Sequence, residues 1–344
     1  MNKKILFGSL VLCCLLVFYF FSTKNNEKKL PEIRIGYSAP EELAYGPVII
    51  AREKDYYKEQ GINAIFIPLQ TSSEVRQALS TGTIDVGLIN FSNLLLPLSK
   101  NAPIKVIAPL GRQPLYLFVK PNSGINTIKD LEGKRIESIT GAAPHLIIAD
   151  AMLKGGANPK TIQLIQIDEI SLPLALMKGA TDVAPDSIYH EVEFQKAGAS
   201  QLKEWDDKGY TDLPDQISAS NFNTIIAVNT QYLKKNKSIL EKFFRGVTSG
   251  RELTKNNPVE AAQALADSQK KTSNGAIIMD PEYIQKLWQE NKLQYMSWYD
   301  LTKLIDIVDT ASKIGTIEKS LTANDIFDFS FEKYLKDEQE KIYK

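Results

Sequence analysis

The chain has 344 residues, with 41 Lys and Arg against 41 Asp and Glu, two His and two Cys. Apolar residues at 43% and charged residues at 24% exclude a disordered tail or a fibre, and the length suits about two domains with cores of their own. Zero net charge speaks against a nucleic-acid partner, and with Cys13 and Cys14 the only cysteines, the rest of the chain holds no disulfide, thiolate nucleophile or Cys-ligated metal.

Lys3 and Lys4 precede an apolar run over residues 5–21, softened only by Gly8 and Ser9; Lys24, Lys28 and Lys29 follow it. A basic start before an apolar stretch is an export pattern. Seventeen residues lie at the short end of a bilayer-spanning helix, about 17–25. Bulky Tyr19-Phe20-Phe21 stands where a cleaved signal needs small residues, and Leu12 where a lipoprotein signal needs one before Cys13. An uncleaved membrane anchor is therefore expected first, then a lipoprotein, then a cleaved signal. All three place the following chain across a membrane. Without residues 1–29, that body holds 36 basic and 40 acidic residues and is mildly acidic.

Ile33-Arg34-Ile35-Gly36-Tyr37 alternates as a strand does. Pro47 opens a helix predicted to run to Gln60, with Gly61 as its stop. Residues 64–69 form the next strand, and Ser72 or Ser73 caps a helix with Val75, Ala78 and Leu79 on one face. Gly82 ends it; strands follow at 84–89 and 104–108. The same order recurs as a strand at 134–139, a helix opened by Pro144, a strand at 162–167 and a helix from Ser171 to Gly179. Ala78-Leu79-x-x-Gly82-x-x-Asp85-Val86 returns as Ala175-Leu176-x-x-Gly179-x-x-Asp182-Val183, offset by 97, and Gly61-Ile62-Asn63 is echoed by Gly156-Ala157-Asn158. Two related α/β halves are expected, each a mostly parallel sheet flanked by helices. After a strand at 224–228 the chain reads as helical, with Phe243, Phe244 and Val247 on one face and helix starts at Pro258 and Pro281. Trp288, Trp298 and Tyr299 are expected as core or docking residues, in an ending that packs on one of the two halves.

The ordered series Ile33-Arg34-Ile35-Gly36-Tyr37, the run from Ala51 through Asp55-Tyr56-Tyr57 to Gly61, Ala102-Pro103-Ile104-Lys105-Val106-Ile107-Ala108 and Asp130-Leu131-x-Gly133-Lys134-Arg135-Ile136 resembles a known family. It is that of the solute-binding proteins of ABC importers, in the sulfonate, nitrate, taurine and thiamine-precursor group. The resemblance covers about residues 33–265. It implies an α/β, two-lobe type II periplasmic-binding-protein fold that clamps a small-molecule solute and delivers it to a permease and its ATPase. The expected organisation is a signal or anchor at 1–29, lobe I from 30–114 and 222–344 with the helical C-terminal part, and lobe II at 115–221. Crossings are expected near residues 111–115 and 221–224. Relatives that make the thiamine pyrimidine imply a His and a Cys-rich segment, and the body has no Cys. A tethered sensory or scaffolding domain is the other alternative.

No enzyme motif is present: no Gly-rich nucleotide loop, no Gly-x-Ser-x-Gly, no His-x-x-x-His, hence no catalytic residue, metal or cofactor is assigned. His145 and His190 have no evident third partner, and Glu41-Glu42 and Asp206-Asp207 read as solvated acids rather than an acid/base pair. Ligands of parallel sheets sit beyond the carboxyl ends of the strands. That rule singles out Tyr37, Ser38 and Tyr45; Thr71, Ser72 and Ser73; Asn90, Phe91 and Ser92; and Thr140, Gly141, Ala142 and His145. Each also reads as a cap or turn residue. Tyr37, Tyr45, Phe91 and Tyr189 could stack on a flat ligand, and Arg112 at the first crossing pairs with a ligand acid or with the hinge. The resemblance implies a Gly-Ser-x-x-His-like turn at 140–145 and an acidic residue at Asp186. Ala142, Ala143 and Pro144 depart from that turn and remove donors, so a nitrogen heterocycle is expected ahead of an alkylsulfonate or nitrate. His145, at a helix start, is expected neutral at pH 7.

Overall fold

The computed structural model describes residues 29–39, 41–167, 171–187, 190–208, 222–272, 278–296 and 304–343. The predicted anchor with Cys13 and Cys14, and Tyr189, Asn221, Trp298 and Tyr299, lie outside the described residues. No helix among the described residues is long and apolar enough to cross a membrane. Contacts divide the chain after Pro31, and everything below concerns Glu32–Lys344.

The strands are β1 (Glu32–Ser38), β2 (Asn63–Leu69), β3 (Val86–Asn90), β4 (Ile104–Gln113), β5 (Tyr116–Val119), β6 (Arg135–Glu137), β7 (Gln163–Ile165), β8 (Val183–Asp186), β9 (Ser200–Gln201), β10 (Phe222–Asn229) and β11 (Gln294–Tyr295). They form two sheets, in the orders β11-β4-β10-β3-β1-β2 and β7-β6-β8-β5-β9. β2, β1 and β3 are parallel, as are β7, β6 and β8, matching the alternating strand–helix order. Both sheets are nevertheless mixed, since β10 runs antiparallel to β3 and β4, and β5 antiparallel to β8. The reason is connectivity. β4 passes through Pro114 and Leu115 into β5 of the other sheet, and β10 follows the second sheet back into the first. A strand arriving from the other sheet must oppose those that lead towards it.

The principal helices are α1 (Gly46–Glu53), α2 (Ser72–Thr81), α3 (Ala143–Lys154), α4 (Leu172–Lys178), α5 (Glu191–Lys196), α6 (Lys237–Asn256), α7 (Pro258–Thr272), α8 (Pro281–Gln289), α9 (Ile305–Lys313) and α10 (Glu332–Tyr343). The helix predicted from Pro47 to Gln60 is broken. Asp55 adopts a left-handed φ of 57° and a one-turn helix, Tyr56–Glu59, restarts in a new direction. That turn drives Tyr57 into the core, where its hydroxyl donates to the Val48 carbonyl and its ring stacks on Phe243 at 5.5 Å. α6 packs on α1 so closely that a Cβ at Gly250 would collide with the Pro47 carbonyl. The ending does not choose one sheet. α9 lies against α3, with Thr310 Oγ1 donating to Asp150 Oδ1 at 2.8 Å, yet its Ile307, Val308 and Ala311 share a cluster with Val106 and Ile225 of the first sheet.

The sequence repeat has a structural counterpart. Gly82 and Gly179 close α2 and α4 with left-handed φ of 75° and 76°, which only glycine adopts without strain. Three residues later, Asp85 accepts from Arg34 N, Nε and Nη2 at 2.8, 3.0 and 2.6 Å. Asp182 accepts from the same atoms of Arg135 at 2.9, 3.0 and 2.6 Å. Each pair locks a strand to the segment that follows a helix.

Candidate functional site

The carboxyl end of β1 feeds a loop that the C-terminal helices hold. Ser38 Oγ lies 2.9 Å from the Tyr45 hydroxyl, which also donates to Glu42 Oε1 at 3.0 Å. Tyr37 meets Tyr45 edge-on with ring centroids 6.1 Å apart. Burial, and then the adjacent Glu41, push the Tyr37 hydroxyl well above its ordinary value, so it stays a neutral donor. Glu41 is not the solvated acid expected: it is 2% exposed. Arg52 Nη1 and Nη2 donate to its carboxylate at 2.6 and 3.1 Å, and Ser268 of α7 donates to Oε2 at 2.5 Å. Burial alone would lower Arg52; Glu41 outweighs it and raises the guanidinium. A buried carboxylate needs such partners, and here they anchor the backbone three residues after Ser38.

After β2, the cap of α2 is Thr71 rather than Ser72 or Ser73. Its Oγ1 accepts from Glu74 N at 3.2 Å, while Glu74 Oε2 accepts from Gln70 N at 2.9 Å. Ser73 has another task, accepting from Arg76 Nη2 at 3.0 Å; Arg76 Nη1 donates to the Asn93 carbonyl at 3.1 Å. Arg76 thus joins the segment after β2 to the turn Phe91–Leu94 after β3. No carboxylate among the described residues pairs with it, and burial lowers its pKa. Arg76 escaped the sequence reading; its spacing of three from Ser73, on a helix opening at a strand end, was the available signal. Asn90 Oδ1 accepts from Ser92 N at 3.1 Å, and Phe91 is a core residue stacked on Phe327 at 5.9 Å.

On the second sheet, Thr140 is exposed and Ala142 starts α3 with no side-chain cap. His145 Nδ1 accepts from Gly141 N at 3.1 Å, so the proton sits on Nε2. Burial lowers its pKa, which keeps the ring neutral at pH 7. Asp186 lies at the end of β8, with Oδ1 accepting from Ser187 N at 2.6 Å and Oδ2 2.9 Å from His190 Nδ1. Burial raises the Asp186 carboxyl, against the opposing pull of His190 and Ser187. His190 thereby gains a partner the sequence did not reveal, four residues after Asp186 in the chain.

The structure brings Tyr37, Ser38 and Tyr45 into one cluster and joins Ser73 to the turn after β3 through Arg76. That turn packs against α3, and Leu146, next to His145, shares its cluster with Phe91. Asp186 and His190 form a separate buried pair.

Two mixed sheets joined by β4–β5 and by the return into β10, with helices on their faces, define a periplasmic-binding-protein fold. The chain is similar to the periplasmic aliphatic sulphonate binding protein SsuA from Escherichia coli, with a TM-score of 0.65, 16% identity and coverage of 87% of this chain and 92% of that one. It is also similar to the periplasmic nitrate-binding protein NrtA from Synechocystis PCC 6803, with a TM-score of 0.62, 13% identity and coverage of 91% and 89%. Residues 43–261 match the family described as NMT1/THI5 like, and the chain belongs to that family. A relative from Legionella pneumophila, 23% identical over 80% of this chain and 82% of its own length, is a 4-amino-5-hydroxymethyl-2-methylpyrimidine phosphate synthase.

Proposed function

We propose that this chain is the exported solute-binding component of an ABC importer, tethered through residues 5–21, and that its solute carries an oxyanion. Lobe I (30–114 and 222–344) and lobe II (115–221) close on the solute and present it to a permease and its ATPase. The observation that carries the charge assignment is Arg76: a half-buried guanidinium at the carboxyl edge of the first sheet, whose described partners are two neutral oxygens. A guanidinium fork suits a sulfonate, nitrate or phosphate oxygen. Asp186, the residue that favoured a heterocyclic N–H, already spends its oxygens on Ser187 and His190. The order of the two ligand classes expected from sequence is therefore reversed.

Calorimetry on the exported body tests this with an alkylsulfonate, nitrate and an aminopyrimidine. Arg76→Gln should weaken binding of the anion by about 10–100-fold, the worth of a charged hydrogen bond of about 1.5–3 kcal/mol. Tight binding of the aminopyrimidine that Arg76→Gln leaves unchanged would sink the anion assignment.

The relative from Legionella pneumophila favours a second reading, a pyrimidine-synthesising enzyme. Against it stands a body without cysteine, whereas the resemblance to such enzymes implies a Cys-rich segment. Recovery of the bound solute chemically unchanged after prolonged incubation supports the binder, and recovery of a product supports the enzyme.

A further inference from the structure

After α9, Gly315 adopts a left-handed φ of 81°, and Thr316 N donates back to the Ala311 carbonyl at 2.8 Å. Ile317 follows, buried in the cluster that holds Val106 and Ile225 of the first sheet. Thr316 is therefore held on one side by a helix cap and on the other by a core residue. The bond from Thr310 to Asp150 ties α9 to α3 as well, and Thr316 comes to rest on the turn that opens α3. Its methyl carbon lies 3.0 Å from the point where a Cβ on Gly141 would stand. Glycine at 141 thus serves twice, for its φ of 80° and for the room it leaves Thr316. The Thr316 hydroxyl shares a carbon with that methyl, and its oxygen is buried with no hydrogen-bond partner among the described residues. Burying a hydroxyl unpaired costs free energy that a partner returns.

We propose that Thr316 is a specificity-determining residue of the solute site, its hydroxyl donating to an oxygen of the anion at the Gly141 turn. This rests on the reading of the solute as an oxyanion. The turn has few donors of its own to offer. Gly141 N is spent on His145 Nδ1, Ala142 N on the Ile139 carbonyl at 3.0 Å, and Pro144 has no N–H. Ala142 and Ala143 bring no hydroxyl, and Thr140 is exposed. Thr316 supplies the missing donor from the C-terminal part of the chain. A hydroxyl rotates to suit its acceptor, and one shielded from water makes a bond that counts for more. Being neutral, it rewards an oxygen acceptor and gives nothing to an apolar surface of the same shape.

The test is calorimetry on the exported body with methanesulfonate and with nitrate, for the parent, Thr316→Val, Thr316→Ser and Arg76→Gln, with thermal unfolding of each in the absence of anion. Valine keeps the shape and removes only the hydroxyl. Thr316→Val should weaken the tighter anion about tenfold, about 1.4 kcal/mol, and Thr316→Ser should bind within about threefold of the parent. The melting temperature of Thr316→Val without anion should hold or rise, because an unpaired buried hydroxyl is gone. Unchanged affinity in Thr316→Val beside a loss in Arg76→Gln overturns the role of Thr316 and leaves the oxyanion reading standing. A loss in Thr316→Val that serine does not restore assigns Thr316 to packing and overturns the role as well. If neither anion saturates the parent, the oxyanion reading falls and the role of Thr316 falls with it.

Discussion

His145 and Asp186 are both buried, yet burial moves them in opposite directions. The folded chain favours neutral His145, with its pKa below the ordinary 6.5; that contribution is complete above 6.5 and lost as pH falls through the folded value. Asp186 is held above its ordinary 3.8, so its contribution is complete below 3.8 and lost as pH rises through the folded value. Denaturant unfolding at a series of pH values between about 3 and about 8 should therefore separate them. His145→Gln should remove an acid-side fall in stability, and Asp186→Asn a fall on the rising-pH side. Variant profiles that simply run parallel to the parent would refute both shifts. The sequence expected His145 to be neutral from its place at a helix start; what lowers its pKa is burial, which the local sequence does not record. The role of Asp186 was not legible, because a carboxylate beside a proline looks the same whether it awaits a ligand or bonds its own strand end.

Among the elements, the two Arg–Asp locks make the repeat testable. Asp85 has a side chain 6% exposed, against 29% for Asp182, while their bonds to arginine are nearly identical. Asp85→Ala should cost about 1.5–3 kcal/mol, the range for hydrogen bonds to a charged group, and Asp182→Ala less, because water can replace more of what it loses. Urea denaturation of the two variants reads the order directly, and an equal or inverted order would contradict it. The elements themselves were legible from punctuation: Pro258 and Pro281 start helices and Gly82 and Gly179 stop them. Their bounds were less so. Residues 84 and 85 extend the alternation of β3, but Asp85 turns its carboxylate to Arg34 before the strand begins.

For the whole molecule, the proposed closure predicts a measurable change of size. Two lobes turning about the segments near 111–115 and 221–224 should give a smaller radius of gyration with saturating anion than without. X-ray scattering on the exported body with the best solute from the calorimetric panel checks this, and curves that superimpose would remove the hinge.

What the sequence by itself determined is what lies within reach of a few residues: the α/β class, the order of elements, the repeat offset by 97, and the segments that emerge at strand ends. Each depends on local periodicity and on where Pro and Gly can sit. Only the tertiary structure decided which strands oppose their neighbours and which polar groups are already satisfied. Glu41 reads as surface until Ser268, 227 residues later, donates to it, and Arg76 draws no notice until it reaches Asn93. A buried charge is defined by the partners that surround it, and the chain brings those partners together from distances no local pattern records.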